Sequence, residues 1–347
     1  MKRFQKIYTL VFTLALLGFS VYALLDTFAI SRVYRVVEQG AASAVAAQDT
    51  AESRESPSLP QPLESRRPGS GRGPGGGRRS SPGGGTRPAA EDAPDTASEE
   101  ASPAEAAGAA DRYSDGDMSI EIRTYRQNGT TIYAADIRVS SPTALKTAFA
   151  RSSYGRNVTA ATSVTAESVG AVLAVNGDNY GSRERGYVIR NGVLYRDTAA
   201  QDQEDLVIWA DGSFSLVRES EVTAQELLDR GAEQVFSFGP GLLEDGEITV
   251  GAREEVDRAM ASNPRTAIGI LEEGHYVLVV SDGRSGESEG LSLYELAQFL
   301  QSLGVQTAYN LDGGGSSTLV FRGEVLNQPA GGRGSGERAV TDIVYLA

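Results

Sequence analysis

Asn310 and Asp312 stand two residues apart at the end of a short apolar run, followed directly by Gly313, Gly314, Gly315, Ser316 and Ser317. On an extended strand side chains alternate, so this amide and this carboxylate share a face. Three glycines let backbone amides approach a bound oxygen, sugar or phosphate, and two hydroxyls add donors and acceptors. The pattern recurs. Val172 to Val175 runs into Asn176-Gly177-Asp178, and Tyr276 to Val280 runs into Ser281-Asp282-Gly283-Arg284. Asp-Gly alone is a turn signature, but three strands ending alike point to a site. If they share one sheet and one direction, Asp178, Asp282 and Asp312 gather along a rim. Carboxylates there could serve as nucleophile or base; alternatively, the rim could hold Ca²⁺, which takes oxygen ligands. Arg183, Arg265 and Arg338 would add guanidinium forks for an anion.

Composition narrows the chemistry. The 347 residues carry a net charge of −14, which argues against nonspecific nucleic-acid binding. There is no cysteine, so disulfides, thiolate nucleophiles and Cys-ligated zinc are excluded. The one histidine, His275, follows Glu272-Glu273-Gly274 and reads as an exposed loop residue. Carboxylates, amides, hydroxyls and arginines remain, and no required cofactor is implied.

Four segments position these groups. Residues 1–6 form a basic N-terminus, with Lys2, Arg3 and Lys6. Residues 7–25 are apolar and uncharged, close to the ~20 a membrane-spanning helix needs. Positive charge before the run predicts a signal anchor with the rest of the chain extracytoplasmic. Residues 26–117 are mostly Ala, Gly, Ser, Pro and charge, predicting a disordered linker. Residues 118–347 are globular. Strands are expected over Ser119–Tyr125 and Thr131–Val139, and hairpins around Asn191-Gly192 and Asp211-Gly212. Helices are expected over Thr143–Ala150, over Ala166–Val169, and after the capping boxes Thr223/Glu226 and Ser292/Glu295. The expected fold class is α+β: a single mixed-sheet domain with several hairpins and a few short helices.

With these residues assembled, the globular part resembles the phosphodiester glycosidase family, which includes a lysosomal "uncovering" enzyme and bacterial exopolysaccharide-associated proteins. The resemblance rests on Ala174 to Gly181, Gly186 to Leu194, Phe238 to Leu242, Asn263 to Gly269, Asp282-Gly283-Arg284, Asn310 to Ser317 and Glu337-Arg338. Asn179 departs from the family pattern, which often has Tyr there. The resemblance implies a hydrolase, like an N-acetylglucosamine-1-phosphodiester glycosidase, that cleaves the anomeric C–O bond of a sugar-1-phosphodiester in a cell-surface polysaccharide or wall polymer. Asp178, Asp312 and Asp282 would then be catalytic. Asn176, Arg183, Arg265, Asn310, Gly313 to Gly315, Ser316, Ser317 and Arg338 would bind substrate. The alternative is a non-catalytic surface module that binds glycan or helps assemble exopolysaccharide.

Overall fold

The computed structural model describes residues 2–28, 30–37, 111–252, 262–331 and 336–347. Most of the expected linker lies outside these residues. The first helix, α1 (Lys2–Phe28), forms over the predicted apolar run. Its side chains from Leu10 to Leu25 are mostly exposed, so it is not a core helix. Among the described residues no helix is long and apolar enough to cross a membrane, and the expected span is not supported by the structure.

Next come β1 (Arg32–Val36), β2 (Asp111–Ser114), β3 (Met118–Gln127), β4 (Thr130–Val139), β5 (Lys146–Phe149) and β6 (Ser153–Arg156). They lead to α2 (Thr162–Ser168), β7 (Leu173–Asn176), β8 (Val188–Arg190), β9 (Val193–Arg196), β10 (Glu204–Trp209) and β11 (Phe214–Arg218). Then follow α3 (Ala224–Asp229), β12 (Ala232–Phe236), β13 (Gly241–Glu244), β14 (Glu247–Ile248), β15 (Arg265–Glu272) and β16 (His275–Ser281). The last are α4 (Leu293–Ser302), β17 (Thr307–Asn310), β18 (Leu319–Phe321), β19 (Glu324–Val325) and β20 (Asp342–Leu346).

A sheet-rich domain with few helices is therefore observed. Its ladders between described strands are all antiparallel, where mixed sheets were expected. The largest sheet has eight strands in the order β14-β13-β17-β15-β16-β4-β3-β2. Two five-stranded sheets, β19-β18-β7-β20-β5 and β11-β10-β12-β8-β9, pack with it around a common core. Ile120, Leu173, Val175, Leu206, Phe236, Leu278, Tyr309 and Val344 meet there. α4 covers the opposite face of the eight-stranded sheet with Leu296, Phe299 and Leu300. Apolar layers on both sides explain the unbroken run of β16, since alternation is lost when both faces are buried.

Both capping boxes form as expected, Thr223 with Glu226 and Ser292 with Glu295. The two hairpins also form, β8–β9 and β10–β11. The expected helix over Thr143–Ala150 does not. β5 replaces it, because this stretch pairs along β20, a partner remote in sequence. His275 is not a loop residue either. It starts β16, is 6% exposed, and its Nε2 lies 3.0 Å from an Asp136 carboxylate oxygen.

The sheets are joined by Arg190, a fully buried guanidinium at the end of β8. It donates to Asp178 Oδ1 at 2.8 Å and to Asp342 Oδ2 at 2.9 and 3.1 Å. It also donates to the carbonyls of Ile189 and Val235, and lies 4.5 Å from the Phe236 ring centre. Removing one member of such a cluster leaves a charge buried without its partner. Arg190→Met should destabilise the domain by about 3–5 kcal/mol, read as a lowered midpoint in urea and thermal melts. A melt unchanged from wild type would show that the pair contributes nothing.

Candidate active site

The three Asp-bearing strands do not share one sheet. β16 and β17 both lie antiparallel to β15, so they run in the same direction and deliver Asp282 and Asp312 to the same end. β7 belongs to a five-stranded sheet and brings Asp178 from the other side. The two sheets meet at Asn176. Its Nδ2 donates to the Asp312 carbonyl at 2.6 Å, and its Oδ1 accepts from Thr266 Oγ1 and the Thr318 amide. The Asp312 amide in turn donates to the Gly177 carbonyl at 3.2 Å. Asn176 is thus spent on bracing rather than on a sugar.

Asp178 also belongs to the frame. Its Oδ1 accepts from Arg190 and the Tyr180 amide, and its Oδ2 accepts from the Ser237 amide at 2.9 Å. With no exposed surface and both oxygens engaged, it is poorly placed for catalysis. Asp282 accepts from the Gln328 amide at 2.7 Å and from Asn327 Nδ2 at 3.3 Å. Burial raises its carboxyl above the usual range, against those hydrogen bonds and one from Tyr133. Tyr133 is itself pushed up to about 12, by burial and then by Asp282.

Asp312 alone of the three stands beside an exposed cation. Ser316 Oγ donates to its Oδ2 at 2.6 Å, and Arg338 Nη2 reaches both oxygens at 3.0 and 3.2 Å. Arg338 also donates to Ser316 Oγ and to the Gly313 carbonyl, while nearly half of its side chain faces solvent. Burial raises the Asp312 carboxyl, and Arg338, Ser316 and Arg183 oppose that rise. Arg183 donates to the Ser237 carbonyl, and its guanidinium lies 4.9 Å from the Phe238 ring centre.

The glycine loop owes its composition to close packing. A Cβ on Gly315 would lie 2.6 Å from Gly331 Cα, so backbone fills that space. Gly314 has φ +61°, and a Cβ there would meet Arg284 Nη2 at 3.1 Å. Arg284 was not among the expected site residues. It has φ +57°, an uncommon conformation outside glycine, and two of its nitrogens donate to Asn263 Oδ1 at 2.7 and 3.1 Å. Its place in Asp282-Gly283-Arg284 was the available signal. Arg265, by contrast, is buried under the loop and donates to the Leu291 carbonyl at 2.8 Å.

Asn310 Nδ2 holds the Gly239 carbonyl at 2.8 Å. Its Oδ1, Ser317 Oγ and Thr318 Oγ1 are buried without hydrogen-bond partners, a costly arrangement concentrated on one stretch. Among the described residues no group of three or more carboxylate or imidazole side chains is arranged to hold a metal ion. The expected carboxylate rim is therefore divided, and the Ca²⁺ alternative finds no ligand set there.

A family model described as phosphodiester glycosidase matches residues 169–347, just over half of the chain, and the chain belongs to that family. It is 32% identical over 182 residues to the SPbeta prophage-derived uncharacterized protein YomE of Bacillus subtilis (strain 168), covering 51% of this chain and 28% of that protein. It is 46% identical over 66 residues to the mouse N-acetylglucosamine-1-phosphodiester alpha-N-acetylglucosaminidase, covering 19% of this chain and 13% of that enzyme. The chain thus spans under a third of the length of either relative. The zebrafish enzyme's catalytic domain, auto-inhibited by its pro-peptide, shares the fold at a TM-score of 0.52 and 22% identity. That likeness covers 72% of this chain and 84% of the zebrafish chain.

The site's electrostatics are directly measurable. Asp312 should titrate above the ordinary aspartate value of 3.8. Arg338 favours the ionised form, so Arg338→Gln should move that titration further up. Carbon NMR of the carboxyl in both proteins checks this. An unmoved titration would mean that Arg338 does not act on Asp312.

Proposed function

We propose that this protein hydrolyses the anomeric C–O bond of a sugar-1-phosphodiester in an extracytoplasmic polysaccharide or wall polymer. The observation that carries the reading is the Asp312–Ser316–Arg338 cluster on the glycine loop of a phosphodiester glycosidase family member. In this reading Asp312 acts at the anomeric carbon, as nucleophile or as base for water. The C1–O bond breaks, the electron pair leaves with a phosphomonoester, and water supplies the hydroxyl that remains on C1. Phosphate is a far better leaving group than a sugar alkoxide. A histidine acid is therefore dispensable, which suits a chain whose one histidine is engaged on β16.

Charge neutralisation falls to Arg338, with Arg183 bearing on the same carboxylate and Arg284 packed against Gly314. Arg265 can support the loop only from below. Asn310 Oδ1, Ser317 Oγ and Thr318 Oγ1 mark the stretch where polar groups are held at a cost to stability. Asp282 is the second carboxylate of the proposal and Asp178 a positioning residue.

The experiment is to incubate the purified protein with sugar-1-phosphodiesters, including an N-acetylglucosamine-1-phospho-6-mannose type, and to follow released sugar and phosphomonoester. Asp312→Asn should lower turnover by about 10²–10⁴-fold with the melt preserved. Saturable binding without release would instead favour the non-catalytic glycan-binding module.

Attachment to a membrane belongs to the same proposal and rests on sequence alone: the apolar run Ile7–Leu25 behind Lys2, Arg3 and Lys6. After cell fractionation the full chain should sediment with membranes, dissolve in detergent and be digested by protease added outside. Recovery in the cytosolic fraction would sink this part.

A further inference from the structure

β1 is separated from α1 by three residues, yet it is docked on the domain. It pairs antiparallel with β6, Arg32 opposite Arg156, Val33 opposite Gly155, Arg35 opposite Tyr154 and Val36 opposite Ser153. Both ends are fastened. Ser31 Oγ donates to the Asn157 carbonyl at 2.7 Å, Asn157 Nδ2 to the Ile30 carbonyl at 3.2 Å, and the Val37 amide to the Ser152 carbonyl at 2.8 Å. A Cβ on Gly155 would lie 2.1 Å from the Arg32 carbonyl oxygen, so β6 is shaped for a strand lying this close. All five residues of β1 remain exposed, and the contacts this segment makes to the domain are largely aromatic. Tyr34 meets Tyr154 at 5.9 Å between ring centres, Arg35 lies 5.2 Å from the Tyr195 ring centre, and Val37 packs on the cluster of Phe149, Tyr154, Tyr180 and Val188.

The other side of β6 grips the segment that follows Asp178. Tyr154 stacks on Tyr180 at 5.1 Å, and the Gly155 amide donates to the Tyr180 hydroxyl. The Asn157 amide donates to the Gly181 carbonyl, and Arg156 pairs with Glu184 at 2.8 Å. Arg183 lies inside that segment, where it donates to the Ser237 carbonyl at 3.1 Å and its guanidinium lies 4.9 Å from the Phe238 ring centre. A two-stranded sheet, β1 on β6, is marginal unless packed against something else. Here it is packed, and what it packs against is residues 180–184.

We propose that residues 30–37 are a working part of the site: a strap that stiffens residues 179–184 through β6 and so fixes the Arg183 guanidinium where it meets the Ser237 carbonyl and the Phe238 ring. Val37 and Asp111, the described residues on either side of the low-complexity stretch, are then both seated on the domain. The effect on catalysis rests on the hydrolase reading above; the strap itself does not.

The test uses the full chain with Val33→Pro and Tyr34→Ala, followed by amide hydrogen exchange. Proline removes a strand donor and alanine removes the ring, both outside the domain core. Exchange at residues 179–184 should rise roughly tenfold or more while β15 and β16 stay protected. Hydrolysis should fall together with that protection. Unchanged exchange at 179–184 overturns the proposal. Raised exchange with no hydrolysis even by the wild type supports the strap and removes the assigned activity instead.

A second measurement needs no strap substitution. A protease site is inserted between residues 45 and 100, and the native protein is cut. The N-terminal fragment should co-elute with the domain on gel filtration and leave 179–184 protected. Its release with 179–184 still protected overturns the proposal.

Discussion

The structure depends on one buried guanidinium. Arg190 neutralises Asp178 and Asp342 where water cannot, and these carboxylates come from the loop after β7 and the start of β20. Two acids share one base there. Burial and the neighbouring Asp178 raise the Asp342 carboxyl, and Arg190 opposes them. The expense of such a cluster is large in isolation and tolerable only when each oxygen is satisfied. Here it is spread over the Tyr180 and Ser237 amides, the Ile189 and Val235 carbonyls, and the face of Phe236. Polarity of this kind fixes register: each hydrogen bond is met only when β8, β12 and β20 stand in one relation.

From that frame the site is one step outward. Asn176 hydrogen-bonds the backbone of Asp312, which fixes where the glycine loop leaves β17. The loop then turns tightly, because Gly315 meets Gly331 and Gly314 makes room for Arg284. The carboxylate is carried on these packed elements, and its ionic partner is the more exposed Arg338.

What was legible in the sequence was local. Asn191-Gly192 and Asp211-Gly212 specify turns within a few residues, and the capping boxes at Thr223 and Ser292 do the same for helices, so these elements form as read. Residues 143–150 were misread because β5 is decided by β20, nearly two hundred positions away. His275 was misread for a similar reason, since its partner Asp136 sits across a ladder. The Asn-x-Asp spacing singles out Asp178 and Asp312 alike, and it cannot separate a frame carboxylate from one beside an exposed arginine. Asp178 and Asp312 carry the same local signature and differ only in what surrounds them. Arg190 carried no signal of its importance, and neither did β1, whose worth lies entirely in the strand it meets.

The distance along the chain between Arg190 and Asp342 is 152 residues. A polypeptide emerging from a ribosome or translocase therefore makes the linchpin long before it makes the acid that completes it. Until then β7 lacks its neighbour β20, and a cation stands in an unfinished interior. Long-range pairings of this kind close slowly and leave strand edges open meanwhile. The core therefore closes late, when the far side of its sheet arrives and β20 takes its place beside β7.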